Sequence, residues 1–303
     1  MAKMYTPAMA KREKKQQRSN RRNHVNSPGY EAWKRLCKNK LAVLGMIILG
    51  ILVFCAIFAP YITPFTYEEQ DFEAILEGPS ATHIFGTDQF GRDMFSRCIY
   101  GIRQSLPIGV LSVLVSCLIG GIFGAVAAYY GGAADMIIMR IMDIFMSIPG
   151  MLMAIAIAAA LGNGFWNLIL ALAISSVPMY ARLVRGCLLS VKQREFIESS
   201  KAIGSSSTRQ IVKHMLPNAL APIVVQMTLG SASGILIAAS LSYIGLGIAP
   251  PIPEWGAMLN AGKQFLQTEP HMLLAPGGMI VLTVLSLNLF GDGLRDALDP
   301  RMK

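Results

Sequence analysis

The sequence predicts an all-α, polytopic membrane protein with six transmembrane helices, and three observations carry that prediction. Of its 303 residues, 53% are hydrophobic and only 15% charged, a balance outside that of an ordinary soluble domain of this length. The apolar residues gather in six runs, at about 41–62, 105–130, 137–161, 166–186, 217–248 and 272–290. Each run holds the roughly 20 residues that a helix needs to cross a bilayer core. Most charges lie between the runs, with acidic residues concentrated on the first connection and basic residues before the first run and between the fourth and fifth.

The first 40 residues carry twelve Lys or Arg, among them Lys11, Arg12, Lys14, Lys15, Arg21 and Arg22, against Glu13 and Glu31 alone. Such a flank stays in the cytoplasm. Residues 1 to about 28 are basic, Gln/Asn-rich and without periodicity, which predicts a disordered tail. Tyr30 to Lys40, with Trp33 and Leu36 among bases, reads as a short interfacial helix, so that 1–35 forms a basic cytoplasmic unit. The first apolar run is expected to stay as an anchor, because the basic stretch before it is long and Pro60 after Ala59 disfavours cleavage.

The next connection carries Glu68, Glu69, Asp71, Glu73, Glu77, Asp88 and Asp93, as a translocated loop would, and completes a unit at 36–100. Within it, Gly86-Thr87-Asp88 and Gly91-Arg92-Asp93 form a turn-rich polar motif in which Arg92 lies between carboxylates. Bracing the loop and contacting an external protein are both open roles for it.

Residues 101–303 then form a five-helix core. Gly120, Gly121 and Gly124 in the second run, and Gly230 with Gly234 in the fifth, have the spacing of closely packed helices. Pro149 is expected to kink the third helix, with Met146, Met151 and Met153 packing around it. Arg140 and Asp143, three apart on one helix face, are expected to pair at the edge of that span or to take part in gating. After the fifth run, Trp255 is read as an interfacial anchor and Glu254 as facing outward. The sixth crossing returns Arg295, Arg301 and Lys303 to the cytoplasm, with Pro300 ending the last helix.

A second long polar interruption is a loop at 192–217. Lys192 to Ile203 has helix-forming composition, with Phe196, Ile197, Ser200 and Ile203 on one stripe and Glu195, Glu198 and Lys201 on another. Gly204 is placed to end that helix in the left-handed conformation, and Ser205 to Ser207 offer caps for a second short helix through Met215. The expected product is a compact helix-turn-helix knuckle. Small Ser199 and Ser200 would let a partner approach the backbone, and Glu198 would cap or pair at the turn.

Several function classes are disfavoured. The net charge of +9 arises at cytoplasmic flanks, where topology and anionic lipid account for it, so no nucleic acid is implied. Cys55 and Cys117 fall in spans, Cys37 and Cys187 on the cytoplasmic side and Cys98 near the outer face, which builds no disulfide framework. His24, His83, His214 and His271 show no ligand spacing, so no metal site is expected. Gly262-Lys263 is followed by Gln264, so there is no phosphate-cradling loop, and no catalytic motif such as G-x-S-x-G or H-E-x-x-H occurs. A self-sufficient secondary transporter would need ionisable groups deep in its spans or an internal repeat. The stretches 105–130, 217–247 and 272–290 contain no Asp, Glu, Lys or Arg, so the energy for transport must come from a partner.

Glu198, the small pair Ser199-Ser200, Gly204 and the Leu216-Pro217 pair together resemble the EAA loop of ABC importer permeases. G-T-D-x-x-G-R-D at 86–93, Pro253 to Gly256 and the run Phe290 to Arg301 extend the likeness from about Lys38 to the last residue. The chain is similar to the "C" type permease of the dipeptide, oligopeptide and nickel importers. Serines stand where that family has two alanines, and His214 where its short consensus has isoleucine.

The resemblance implies the type I ABC importer permease fold in a prokaryotic plasma membrane, with both termini cytoplasmic. It also implies that Glu195, Glu198, Ser199, Ser200, Ala202, Gly204, Leu216 and Pro217 form a coupling loop seated in a groove of an ATPase. The implied partners are a homologous permease forming a heterodimer, two ABC ATPases that bind ATP and magnesium, and an external binding protein. This chain would hold no cofactor, and its cargo would be di- or oligopeptides, or nickel or another small solute.

Overall fold

The computed structural model describes residues 28–299. The expectations for the tail before Pro28, and for Pro300, Arg301 and Lys303, lie outside the described residues.

The described chain is helical. In order, α1 is Pro28–Leu36, α2 Lys40–Ile57, α3 Ala59–Ile62, α4 Met94–Tyr130, α5 Gly132–Met146, α6 Gly150–Leu161, α7 Phe165–Lys192, α8 Glu195–Ala202 and α9 Ser207–Arg209. A π-helical stretch at Gln210–Met215 leads into α10, Leu216–Tyr243, followed by α11, Trp255–Gly262, and α12, His271–Leu298. Among the described residues five helices are long and apolar enough to span a membrane, and α5 with α6 supplies a sixth crossing if the bent pair is one span.

Local chemistry fixes the helix starts. The Asn39 side chain accepts from the amides of Leu41 and Ala42 at the start of α2, and Asp93 accepts from Ser96 at the start of α4. The division expected between residues 100 and 101 falls inside α4, because that helix starts at its Asp93 cap. Its 37 residues make it about 55 Å long at about 1.5 Å per residue, so it reaches well past a bilayer core.

The third apolar run differs from expectation. It breaks rather than kinks: α5 and α6 meet at 83°, with Pro149 as the residue before α6. Proline disfavours helical geometry at the residue before it, here Ile148, so the chain leaves the helix before it can bend within it.

α4 and α7 form the most extensive helix pair. Their close approach rests on the predicted glycines. A Cβ on Gly120 would lie 2.5 Å from the Val177 carbonyl oxygen, and one on Gly124 would overlap the Ala181 carbonyl. Ser116 adds a bond across the pair, its Oγ donating to the Ala173 carbonyl at 3.0 Å. Gly121 differs, since its nearest neighbour would be Val184 Cγ2 at 3.8 Å. Gly234 packs on Gly109, so small residues also bring α10 against α4.

Three main apolar cores result among the described residues. One, around Met94, Ile102, Ile235, Trp255 and Met272, lies at the end of the bundle where α4 and α12 start. A second, around Ala128, Val184, Leu188, Met215 and Ile223, lies where α4 and α7 end. The third is around Ile108, Leu168, Leu172 and Leu241. Cys98, near the start of α4, belongs to the first core and is fully buried. Outward side chains such as Ile51, Leu118, Ile122, Leu152 and Val281 are apolar, as a lipid-facing surface requires.

Candidate docking knuckle and signature loop

The knuckle begins where α7 ends. Lys192 Nζ donates to the carbonyls of Ala128 at 2.9 Å and Tyr129 at 2.7 Å. These belong to the last turn of α4, whose unpaired carbonyls and dipole favour a cation. Lys192 therefore belongs to α7, and the knuckle helix α8 starts at Glu195, later than expected. Glu195 and Glu198 occupy its first turn, where the dipole favours carboxylates. Glu198 is exposed and forms no hydrogen bond or ion pair with the described residues, so the expected capping contact is absent.

α8 ends in a Schellman motif. The Gly204 amide donates to the Lys201 carbonyl at 3.0 Å and the Ser205 amide to that of Ser200 at 3.2 Å. Gly204 holds φ at +77°, the left-handed geometry expected of it. The separate second helix expected through Met215 does not form. Ser206 takes the capping position without a side-chain bond, and α9 continues through the π-helical stretch into α10. Pro217 accounts for the π stretch. It lacks an amide proton and its ring crowds the carbonyl four residues back, and the wider turn relieves both.

The stripe expected from Phe196, Ile197, Ser200 and Ile203 is split between two faces. Ile197 and Ser200 are buried with Gln210 and Met215, whereas Phe196, Ile203 and Val212 face outward. Ile203 is 84% exposed and Ser200 only 8%. Ser199, Ala202, Gly204 and Pro217 lie on the exposed side and Leu216 is half-buried. Only Ser199 of the serine pair is open to a partner, and its Oγ already donates to the Glu195 carbonyl at 3.0 Å. A carboxylate buried without a partner costs several kcal/mol, on the order of 3. Ser200→Asp is therefore expected to expose the 195–217 segment to limited proteolysis, while Ser199→Asp should leave the cleavage pattern unchanged.

The signature loop lies at the opposite end of the bundle. Gly86, Thr87, Asp88, Gly91, Arg92 and Asp93 are all buried. Thr87 and Asp93 form an isolated antiparallel bridge, and Thr87 Oγ1 donates to the Ala74 carbonyl while accepting from the Glu77 amide at 2.9 Å. Asp88 accepts from the Phe90 and Arg92 amides at 2.9 and 3.1 Å and from Arg92 Nε at 2.7 Å. Arg97 approaches the same carboxylate at 3.6 Å and donates to the Tyr67 carbonyl at 2.9 Å. A Cβ on Gly91 would overlap the Asp71 carbonyl, so the two strands of the loop meet backbone to backbone.

Two histidines that looked scattered join this loop. His83 Nδ1 lies 3.0 Å from Asp93 Oδ1, and His271 Nε2 donates to the Thr87 carbonyl at 3.0 Å. The second contact spans 184 residues, which no local spacing reveals. The motif is thus built as an internal brace that ties the loop to the starts of α4 and α12. Among the described residues, no three His, Cys, Asp or Glu side chains gather as a metal site would need.

Residues 120–303 match the family model described as binding-protein-dependent transport system inner membrane component. The chain belongs to that family. Residues 27–79 of this permease also match the N-terminal TM domain of oligopeptide transport permease C. It is 50% identical over 277 residues to the dipeptide transport system permease protein DppC of Alkalihalophilus pseudofirmus, covering 91% of each chain. It is 45% identical to the glutathione transport system permease protein GsiD of Pectobacterium atrosepticum, covering 92% of this chain and 93% of the relative. Its fold matches a chain of the MetNI methionine ABC transporter solved in inward-facing conformations, with a TM-score of 0.56 at 20% identity. That match covers 68% of this permease and 98% of the solved chain.

Two expectations for this permease are overturned. Trp255 and Glu254 do not face an interface or a partner; they are 0% and 1% exposed. Trp255 Nε1 donates to the Cys98 carbonyl at 3.1 Å, and the Glu254 carboxylate caps α11 by accepting from the amides of Gly256 at 2.9 Å and Ala257 at 2.8 Å. Gly101 makes room for the indole, so a small residue on α4 selects the buried position over the interfacial one.

Burial raises the pKa of the Glu254 carboxyl, and its hydrogen bonds only partly oppose that rise. A raised folded pKa means that the native state binds the proton more tightly than the unfolded chain. Its stabilising contribution is then complete below the ordinary carboxylate range, about 4.3, and is lost as pH rises through the folded value. Glu254→Gln is expected to flatten the fall in thermal stability as pH rises above the ordinary carboxylate range, as melting of the detergent-solubilised protein would report.

The second correction concerns Arg140 and Asp143, which do not pair. Asp143 binds Arg182 of α7, and Asp135 binds Arg185 through two bonds of 2.5 and 2.6 Å. Both pairs cross from α5 to α7, because the broken span lays α5 against the end of α7 and brings arginines closer than the neighbour on its own helix. Arg140 stays exposed beside them.

Proposed function

We propose that this chain is one of two permeases of an ATP-driven importer that carries di- or oligopeptides delivered by an external binding protein. In this reading it spans the prokaryotic inner membrane with both termini in the cytoplasm, as the basic flanks at residues 1–40 and 192–213 favour. The observation that carries the reading is the knuckle: an exposed patch of Phe196, Ser199, Ala202, Ile203 and Val212 held on a buried base at one end of the bundle. Such a patch suits a groove in an ATPase subunit that binds ATP and magnesium on this chain's behalf. The signature loop would stand on the opposite side of the membrane, where its exposed Ile84 and Phe90 are available to the binding protein. Peptide cargo is favoured by the relatives named for dipeptide and glutathione transport.

Affinity purification of the chain from its native membrane in mild detergent tests this directly. Recovery of two ATPases and a second permease, with ATP hydrolysis in the eluate, is expected. An isolated chain without ATPase, from a preparation that preserves other complexes, would reopen the self-sufficient transporter.

A further inference from the structure

Besides apolar packing, a buried amide links the knuckle to the membrane helices. Gln210, 2% exposed, starts the π-helical stretch. Its Nε2 donates to the Ser205 carbonyl at 2.8 Å, and its Oε1 accepts from the Tyr129 hydroxyl at 3.1 Å. Ser205 is the residue whose amide closes the Schellman turn of α8. Tyr129 lies in the last turn of α4, whose carbonyls are held by Lys192 at the end of α7. The bonds therefore run from the turn of the knuckle through Gln210 to Tyr129, and from there through Lys192 to the other long helix of the tightest pair in the bundle.

We propose that Gln210 is a positioning residue that makes the knuckle and the ends of α4 and α7 move as one body. A shift imposed on the exposed patch then reaches the membrane helices without being absorbed in the 193–206 turns. The inference rests on the reading that the knuckle docks an ATPase, and it adds the path by which that docking acts on the spans. The amide suits the task. It uses a donor and an acceptor at once in a buried setting, where an unmade bond is costly, so neither contact is given up easily.

The test uses the complete transporter in proteoliposomes, with Tyr129→Phe, which removes one bond, and Gln210→Met, which removes both at similar volume. Each variant is expected to retain its ATPase subunits and their ATP hydrolysis while substrate uptake per ATP falls about fivefold or more. The double variant should be no worse than Gln210→Met, because both remove the same link. Unchanged uptake per ATP would overturn the proposal. So would loss of uptake in step with loss of the bound ATPase, since Gln210 would then only keep the knuckle folded. If the unaltered chain recruits no ATPase, the docking reading itself fails, and that failure is visible before any variant is made.

Discussion

Valine at Gly204 is expected to lower transport about tenfold or more while the chain still reaches the membrane. A Cβ built on Gly204 meets nothing within 4 Å, so the effect is not one of bulk. It comes from φ of +77°, which costs an ordinary L-residue about 1–2 kcal/mol and a β-branched one more. The turn would leave that geometry, the two Schellman bonds from Gly204 and Ser205 would break, and α8 would lose its fixed angle to the bundle. Asparagine tolerates the left-handed region, so Gly204→Asn should stay close to the unaltered protein. Uptake of a radiolabelled dipeptide by cells producing each variant, with membrane content measured in parallel, separates the two substitutions. Equal losses for asparagine and valine would show that size at 204 matters and that the turn does not.

The second large effect is expected at the crossing of α4 and α7. Leucine at Gly124 must place its Cβ where the Ala181 carbonyl stands, and neither backbone can yield without separating the helices. Overpacking of this kind costs about 1–3 kcal/mol and more when backbone is the obstacle. In a bilayer, packing is the main force holding the pair, so the loss has no apolar compensation. Gly124→Leu is expected to abolish accumulation of a monodisperse protein, read by size-exclusion chromatography in mild detergent. Gly121→Leu, three residues away but facing more open space, should elute as the unaltered protein does. Failure of both, or survival of both, would contradict the packing described here.

Gly120 and Gly124 were legible, though Gly121 was not, because packing in the membrane writes itself into residue size at a helical period. The apolar runs were legible because a bilayer core demands a fixed length of apolar helix, and the left-handed Gly204 because few residues other than glycine suit that turn. What sequence could not reveal was direction. Trp255 and Glu254 look like surface residues by type, and only the cavity left by Gly101 and the amides of α11 make their burial favourable. Ile197 and Ile203 belong to one apolar stripe by composition, yet the axis of α8 turns the first inward and the second out. Asp143 found its partner on α7 because the chain breaks at Pro149, and the sequence showed the proline but not the 83° that follows from it. His83 and His271 were the least legible, because each contact of theirs depends on the fold of the whole signature loop.

The exposed face of the knuckle is the centre of this account, and a photo-crosslinking residue at Ile203 probes it most directly. The control is the same residue at Phe72, exposed in the loop assigned to the other side of the membrane. Irradiation of intact membranes is expected to join the Ile203 variant to an ATPase subunit and to leave the Phe72 variant free of it. Absence of that adduct from Ile203, in membranes where the ATPase still co-purifies with the chain, would place the docking surface elsewhere and contradict the role given to Glu195–Pro217.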